Sequence, residues 1–291
     1  MESGAVHGTR PGQATGTLLR LEGRDALTLL HRISTQSLLD LRPGQACATL
    51  FCDPRGRLLH RVCVAVTADH AVWLLRDDAP TLPLADFIER FIFREDVRAG
   101  VPRQDLSVRA VSGNLGLEPG AVRERDGLPH EVQTRPDWAL VLAPPGTSPP
   151  GAATEHARIL AGLPRHGHEI AESFTPFEVG LAQEVHLRKG CFTGQEALLR
   201  MITYKSVRRR LVRVGGEGPP PAVPRDVRLT GEVVGWITSV APESDPKRGP
   251  GWTGLAVMRS AACDPKAELL GEARPVTIAQ VFETLPPLGL S

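Results

Sequence analysis

One cysteine, set between basic residues and glycines, is the place in this sequence where chemistry is most legible. The run Arg188-Lys189-Gly190-Cys191-Phe192-Thr193-Gly194-Gln195-Glu196 puts a thiol directly behind two cations. The same thiol precedes an expected helix, Gln195 to Met201. Cationic side chains and the positive end of a helix both favour thiolate, so Cys191 is the candidate catalytic group. Lys189 is one of only four lysines in a chain whose 34 basic residues are otherwise arginine, which makes its position more telling. Gly190 and Gly194 permit a tight backbone and close approach. Thr193 and Glu196 have the spacing of a capping box, so Glu196 has two readings, helix cap or ligand contact. Gln195 has no part in capping and is a candidate to face a cavity. Arg188 and Arg200 are candidates to neutralise an anionic ligand tail or an acidic partner, with plain surface arginines as the alternative.

The other titratable residues offer less. Cys47, Cys52, Cys63 and Cys263 form no Cys-x-x-Cys pair and match no familiar zinc or iron–sulfur spacing. Most of them lie in apolar stretches and are expected in the core. An odd count of five cysteines, with no secretory segment expected, argues for reduced thiols. His166-Gly167-His168-Glu169 has metal-like spacing only superficially and reads as a polar loop, so no metal site is expected. The net charge of +1 gives no overall electrostatic reason to bind nucleic acid or a membrane. Lys205, Arg208, Arg209, Arg210 and Arg213, beside Tyr204, read as a solvated strand face in preference to an RNA platform. No apolar run approaches the roughly 20 residues of a membrane helix. Residues 1–15 contain no apolar signal region and read as a disordered tail. The expected compartment is the cytoplasm.

The elements that must position Cys191 follow from periodicity. Residues 17–22 alternate as a strand, and 25–33 carry a helical apolar face of Ala26, Leu29, Leu30 and Ile33. Strands are expected at 48–52, 58–66 and 71–75, with Asp53-Pro54-Arg55-Gly56 as a hairpin turn between the first two. Helices are expected over 82–93 and 155–161, and further strands around Val97, Val108 and Val111. After the break Gly215–Pro221, short strands at 227–229, 232–240, 253–259 and 274–281 point to a small β-barrel.

Lys189-Gly190-Cys191-Phe192-Thr193-Gly194-Gln195-Glu196 resembles the Lys-Gly-Cys-aromatic-x-Gly-Gln-Glu signature of the YgfZ-type folate-binding proteins. These are relatives of the glycine cleavage T-protein, an aminomethyltransferase. The resemblance extends through Leu21–Ala26, Asp53–Arg57, Phe174–Leu181, Gly235–Val240 and Gly254–Arg259, in that order. It implies an α+β fold: a ring-like body of two N-terminal α+β domains within 16–210, and a C-terminal β-barrel within 222–291. It implies a central cavity for tetrahydrofolate or another folate, with Arg188, Lys189, Gly190, Gly194, Gln195, Glu196 and Arg200 as cofactor-binding candidates. It further implies a role in iron–sulfur cluster assembly or repair, extending to tRNA modification, with iron–sulfur client enzymes or assembly proteins as partners. The alternative it carries is folate-dependent aminomethyl transfer. Two positions depart from the pattern. Leu59-His60 stand where T-proteins have an Asp pair, so aminomethyl transfer is not expected. Leu160 stands where the family has a pterin-facing Glu, so weakened folate binding is expected.

Overall fold

The computed structural model describes residues 16–245, 249–271 and 274–282; the tail expected over 1–15 lies outside them. Fifteen strands, four α-helices and three short 3-10 turns are found among the described residues. The strands form two antiparallel sheets and a closed barrel.

The first sheet contains β1 (Thr17–Glu22), β2 (Ala46–Cys52), β3 (Leu58–Val66), β4 (Val72–Arg76) and β5 (Arg98–Ala99), in the order β2-β3-β4-β1-β5. Side chains alternate between faces along each strand. Leu19 and Leu21 pack with Phe51, Val64 and Leu74 under α1 (Ala26–Ile33) and α2 (Leu82–Glu89). Leu18, Cys63, Trp73 and Leu75 face the opposite way, onto the second sheet. A sheet buried on both faces explains why β3 and β4 read as nearly unbroken apolar runs.

The second sheet is β6 (Ser107–Ser112), β7 (Val122–Arg125), β8 (Leu128–Arg135) and β9 (Trp138–Ala143), ordered β6-β9-β8-β7. Only β6 was expected from the sequence. Polar residues interrupt β7 and β8, and three of the four residues of β7 are exposed, so no clean alternation marks them. The helix α2 is four residues shorter than its apolar spacing predicts. Glu95 accepts hydrogen bonds from the Phe93 and Arg94 amides (2.8 and 3.0 Å), which turns the chain out of the helix.

The helix α3 (Glu155–Leu160) and α4 (Gln195–Thr203) lead to the barrel. Its strands are β10 (Arg209–Glu217), β11 (Arg225–Leu229), β12 (Glu232–Asp245), β13 (Gly249–Arg259), β14 (Leu269–Gly271) and β15 (Arg274–Val281). They close as β10-β13-β12-β11-β14-β15. The barrel therefore starts earlier than the Gly215–Pro221 break implies. On β10, Val212 and Val214 point into the barrel core with Ile237, Trp252 and Met258. Leu211 points outward and joins Phe174, Phe177 and Leu198. That second cluster glues the barrel to the body, so the break is a loop inside the barrel, after its first strand.

Candidate functional site

The signature segment is held from below by the 3-10 turn at Ala182–Glu184 and the α1–β2 connection. Thr35 Oγ1 donates to the Glu184 carbonyl (2.7 Å), and the His186 amide donates to the Thr35 carbonyl (2.9 Å). Lys189 turns inward. It is buried, donates to the carbonyls of His31 and Gln36, and lies over the Phe192 ring at 5.2 Å. Burial pushes its amine down to about 8. Gln195 Nε2 donates to the carbonyls of Leu187 (3.0 Å) and Lys189 (3.3 Å), closing the loop on itself. Cys191 is exposed at the crest of that loop.

The expected capping box at Thr193 and Glu196 does not form. The cap residue of α4 is Gly194, with φ +87°, and no side chain caps it. The helix thus begins one residue too late for Thr193, and Glu196 pairs with Arg200 one turn on (2.5 Å). A Cβ on Gly194 would lie 2.6 Å from the Asp53 carbonyl oxygen, so the glycine lets α4 sit directly on the β2–β3 turn. A capping box does form at Thr175–Glu178, opening the turn Pro176–Val179.

A cavity of about 330 Å³ lies between the two sheets and α3. Its apolar walls include Leu75, Trp138, Leu140 and Leu163. Its polar residues include Arg61, Arg76, Asp77, Asp78, Arg158 and His166. None of residues 188–196, nor Arg200, lines it. The signature loop and the cavity are linked through Arg61, whose guanidinium holds Glu184 by two nitrogens (2.6 and 2.9 Å).

Charge in the cavity is tightly arranged. His166 Nδ1 lies 2.8 Å from Asp78 Oδ1, and the His166 amide donates to Asp78 Oδ2 (2.8 Å). Its Nε2 accepts from the Arg61 amide (3.1 Å), which fits an Nδ1–H tautomer donating to Asp78. Burial works to raise the Asp78 carboxyl, but His166 and Arg76 outweigh it and hold the group below its ordinary value. Asp77 goes the other way: burial, reinforced by the Asp78 charge, pushes it up to about 6. His60, at one of the positions where T-proteins have Asp, sits beside Arg76 (3.2 Å) and is pushed down to about 3 by burial and that charge. It is therefore neutral at working pH. Burial also lowers Arg76, to about 10.

Sequence reasoning missed this cluster. The available signal was the acidic pair Asp77-Asp78 closing an apolar strand, and the polar loop 166–169 that follows α3. Leu160, expected where the family has its pterin-facing Glu, is 40% exposed and does not line the cavity; Glu155, one turn earlier, does. His168 binds the Thr238 carbonyl (2.6 Å) and Glu169 is fully buried, so the loop is structural. Among the described residues, no group of three or more His, Cys, Asp or Glu is placed to hold a metal ion. No helix among them is long and apolar enough to cross a membrane.

No protein-family model matches the chain. It is 25% identical over 280 residues to the Arabidopsis thaliana protein named "Putative transferase At1g60990, chloroplastic", covering 84% of this chain and 63% of that protein. It is 27% identical over 271 residues to the aminomethyltransferase of Symbiobacterium thermophilum, covering 75% and 70%. A shorter match, 41% identical over 107 residues, covers 34% of this chain and 28% of the aminomethyltransferase of Streptomyces avermitilis. The chain thus spans less than two thirds of the first and last of these relatives. Its structure matches the glycine cleavage system aminomethyltransferase T of Bartonella henselae with a TM-score of 0.73 at 18% identity, over 94% of this chain and 84% of that one. The two sheets and closed barrel are therefore the aminomethyltransferase T fold, and the sequence relatives include aminomethyltransferases.

Proposed function

We propose that this chain is a YgfZ-type folate-binding protein that supports assembly or repair of iron–sulfur clusters in client enzymes, with Cys191 as its working thiol. The observation that carries the reading is the placement of the cysteines. Cys191 is the exposed one of five, at the crest of the signature loop. Burial pushes Cys52 up to about 12 and Cys47 up to about 11, and raises Cys63 and Cys263 as well, so these four are poor nucleophiles. An exposed thiol outside the cavity suits contact with a protein partner or a cluster in transit more than chemistry on an enclosed ligand. The clients are iron–sulfur enzymes or assembly proteins, and the compartment is the cytoplasm.

The cavity residues fit a folate head group. Trp138, Leu140, Leu75 and Leu163 offer apolar surface to a planar ring, and the Asp77 side supplies acceptors for its amino edge. A bound folate supplies a carrier for one-carbon units. The protein's own part is to orient the ring, exclude water from one face and hold the Asp78–His166 pair in one tautomer. Arg188, Gln195, Glu196 and Arg200 are placed with the loop, so any contribution they make is to what docks beside Cys191.

Aminomethyl transfer is the second reading. The names of the relatives favour it, and so does the presence of cavity carboxylates at Asp77 and Asp78. Leu59-His60 in place of an Asp pair weighs against it.

A complementation experiment separates the two readings. In cells lacking this chain, the wild type restores activity of an iron–sulfur enzyme, and Cys191→Ala does not, although it accumulates to the same level. In the purified protein, iodoacetamide labels Cys191 before the other four. Rescue by Cys191→Ala, or aminomethyl transfer to tetrahydrofolate at a rate unaffected by that variant, would overturn the proposal in favour of the second reading.

A further inference from the structure

The basic run at the start of the barrel is more than a solvated strand face. Lys205 and Arg208 lie in the connection between α4 and β10, before the strand begins at Arg209. There Arg208 and Arg209 join Arg57 of the β2–β3 turn and Arg259 at the end of β13 around an open groove of about 770 Å³. The groove shares no wall residue with the cavity between the sheets, and none of residues 188–196 lines it.

Four guanidinium groups share this wall with one carboxylate, Glu178. That carboxylate is spent on the protein. It accepts from Arg209 Nε (2.7 Å) and Nη2 (3.0 Å), and from the Thr175 amide (3.0 Å) and hydroxyl (3.1 Å). Arg57 approaches it only to 3.6 Å. Arg209 and Arg259 stand directly opposite each other in the β10–β13 register, an unfavourable pairing of like charges. Arg259 turns away to the exposed Glu232. Arg208 is exposed, and among the described residues its side chain has neither a hydrogen bond nor an ion pair.

Excess positive charge alone would make only a solvated edge. Ser260 sets this groove apart. It follows Arg259 in the chain, and its amide donates to the Arg208 carbonyl (2.7 Å), so its side chain stands among these arginines. Its Oγ is buried and, among the described residues, has no hydrogen-bond partner. A shielded hydroxyl left unpaired costs free energy unless a ligand atom pairs with it.

We infer that this groove is a second binding site of the chain, and that its ligand is a small phosphate ester. One arginine fork satisfies the two oxygens of a carboxylate, whereas a phosphate group has three strong acceptor oxygens and calls for donors from several directions. Three elements supply them here: Arg57 from the β2–β3 turn, Arg208 from the α4–β10 connection, and Arg259 with Ser260 from the end of β13. Arg208 and Arg259 are exposed on long stems, and drawing them onto the anion uncovers the Ser260 hydroxyl as the next donor. Met201, Val207 and Ala261 give the groove an apolar wall for the organic part of the ester, and its volume suits a nucleotide. A nucleic-acid strand fits less well. Arg209 already lies over the Trp236 ring (5.8 Å), and a net charge of +1 supplies no broad attractive field. The inference stands independently of the role proposed for Cys191.

The test titrates the full chain with inorganic pyrophosphate and with adenosine diphosphate by calorimetry at about 0.1 M salt, and maps both by NMR amide shifts. Both probes saturate one site and shift the amides of residues 205–210 and 259–262. Arg208→Gln weakens both by at least roughly tenfold. Ser260→Ala weakens both by about two- to tenfold and leaves thermal stability unchanged or higher, because the lost hydroxyl bonds to nothing in the free protein. A merely structural serine would move stability and not affinity. Arg24→Gln removes the same charge at an exposed position just before α1 and leaves both affinities unchanged. Absence of saturable binding overturns the assignment. So does an Arg24→Gln loss equal to that of Arg208→Gln, or wild-type affinity in both Arg208→Gln and Ser260→Ala. An oligouridylate of about ten nucleotides that shifts the same amides and binds at least roughly tenfold tighter than adenosine diphosphate also overturns it, in favour of a nucleic-acid surface.

Discussion

At the scale of single residues, neighbours in sequence separate in space. Lys189 and Cys191 are two apart, and the sequence reading treats them as one electrostatic unit. The structure sends Lys189 inward to two carbonyls and leaves Cys191 at the crest. A loop can alternate direction at each residue, and no spacing rule reveals which side chain the body will claim. Lys189 is therefore an anchor for the loop that presents the thiol. Replacing it with Met keeps the bulk over Phe192 but leaves the His31 and Gln36 carbonyls without their donor, at a cost of about 1–3 kcal/mol. The pH dependence has a definite sign. The folded-state amine is lowered to about 8 from an ordinary 10.5, so between those values the unfolded chain holds the proton more often. Stability from this group rises as pH rises through that window and is lost as pH falls below it. Urea denaturation of wild type and Lys189→Met should show a stability gap that widens from about pH 7.5 to about pH 10. A gap that narrows would show that the buried amine stays charged.

At the scale of elements, the strands and helices with clean periodicity were legible and the rest were not. β1, β3, α1 and α3 lie within a residue or two of their expected bounds, because apolar positions repeat along β1 and α1, β3 is a nearly unbroken apolar run after a turn, and α3 follows a Pro- and Gly-rich loop. The β7–β8 hairpin was invisible, since it has one weakly buried face. The start of α4 at Gln195 was expected, but its cap was misread for a different reason. Thr193-x-x-Glu196 has capping-box spacing, but the chain passes so close to the β2–β3 turn that only a glycine in the left-handed region fits at 194. A tertiary contact overrode a local preference. Cys191 is presented from the segment that this contact fixes. Gly194→Ala meets both penalties at once, a φ of +87° and a Cβ 2.6 Å from the Asp53 carbonyl oxygen. The strain from φ alone is about 1–2 kcal/mol, and the clash adds to it. The expected outcome is a lower urea midpoint together with faster amide exchange across Gln195–Thr203, with exchange in the barrel little changed. Uniform loss of protection across the chain would mean that α4 is not a separately docked element.

At the scale of the whole molecule, barrel and body are joined by buried polar contacts as well as by apolar packing. Glu178, the capping residue of its turn, also binds Arg209 at the start of β10 (2.7 Å). Glu169 makes a deeper link. Its carboxylate is fully buried and accepts from Thr238 Oγ1 (2.5 Å) and Ser239 Oγ (2.7 Å) of β12, from the Arg165 amide (3.2 Å) and from Arg158 Nη1 (3.4 Å). Arg158 and Arg165 in turn line the cavity, so the barrel helps to fix the cavity wall. This coupling was not legible in the sequence, because Glu169 lies some 70 residues from its barrel partners and a polar loop with two histidines looks like surface. Glu169→Ala strands buried hydroxyls and removes one partner of a buried ion pair, which costs about 3–5 kcal/mol. For a chain of this size that corresponds to a fall in Tm of roughly 6–15 °C. Glu169→Gln retains one acceptor and should lose less. Glu243→Ala is the control on the same barrel strand: it breaks an exposed contact of β12 with α3, Glu243 to His156 at 3.7 Å, and costs about 0–1 kcal/mol. Calorimetry of the three variants checks the order. If Glu169→Ala melts with Glu243→Ala, the polar link adds nothing to the apolar cluster around Phe177. The cavity wall would then owe its position to the body alone.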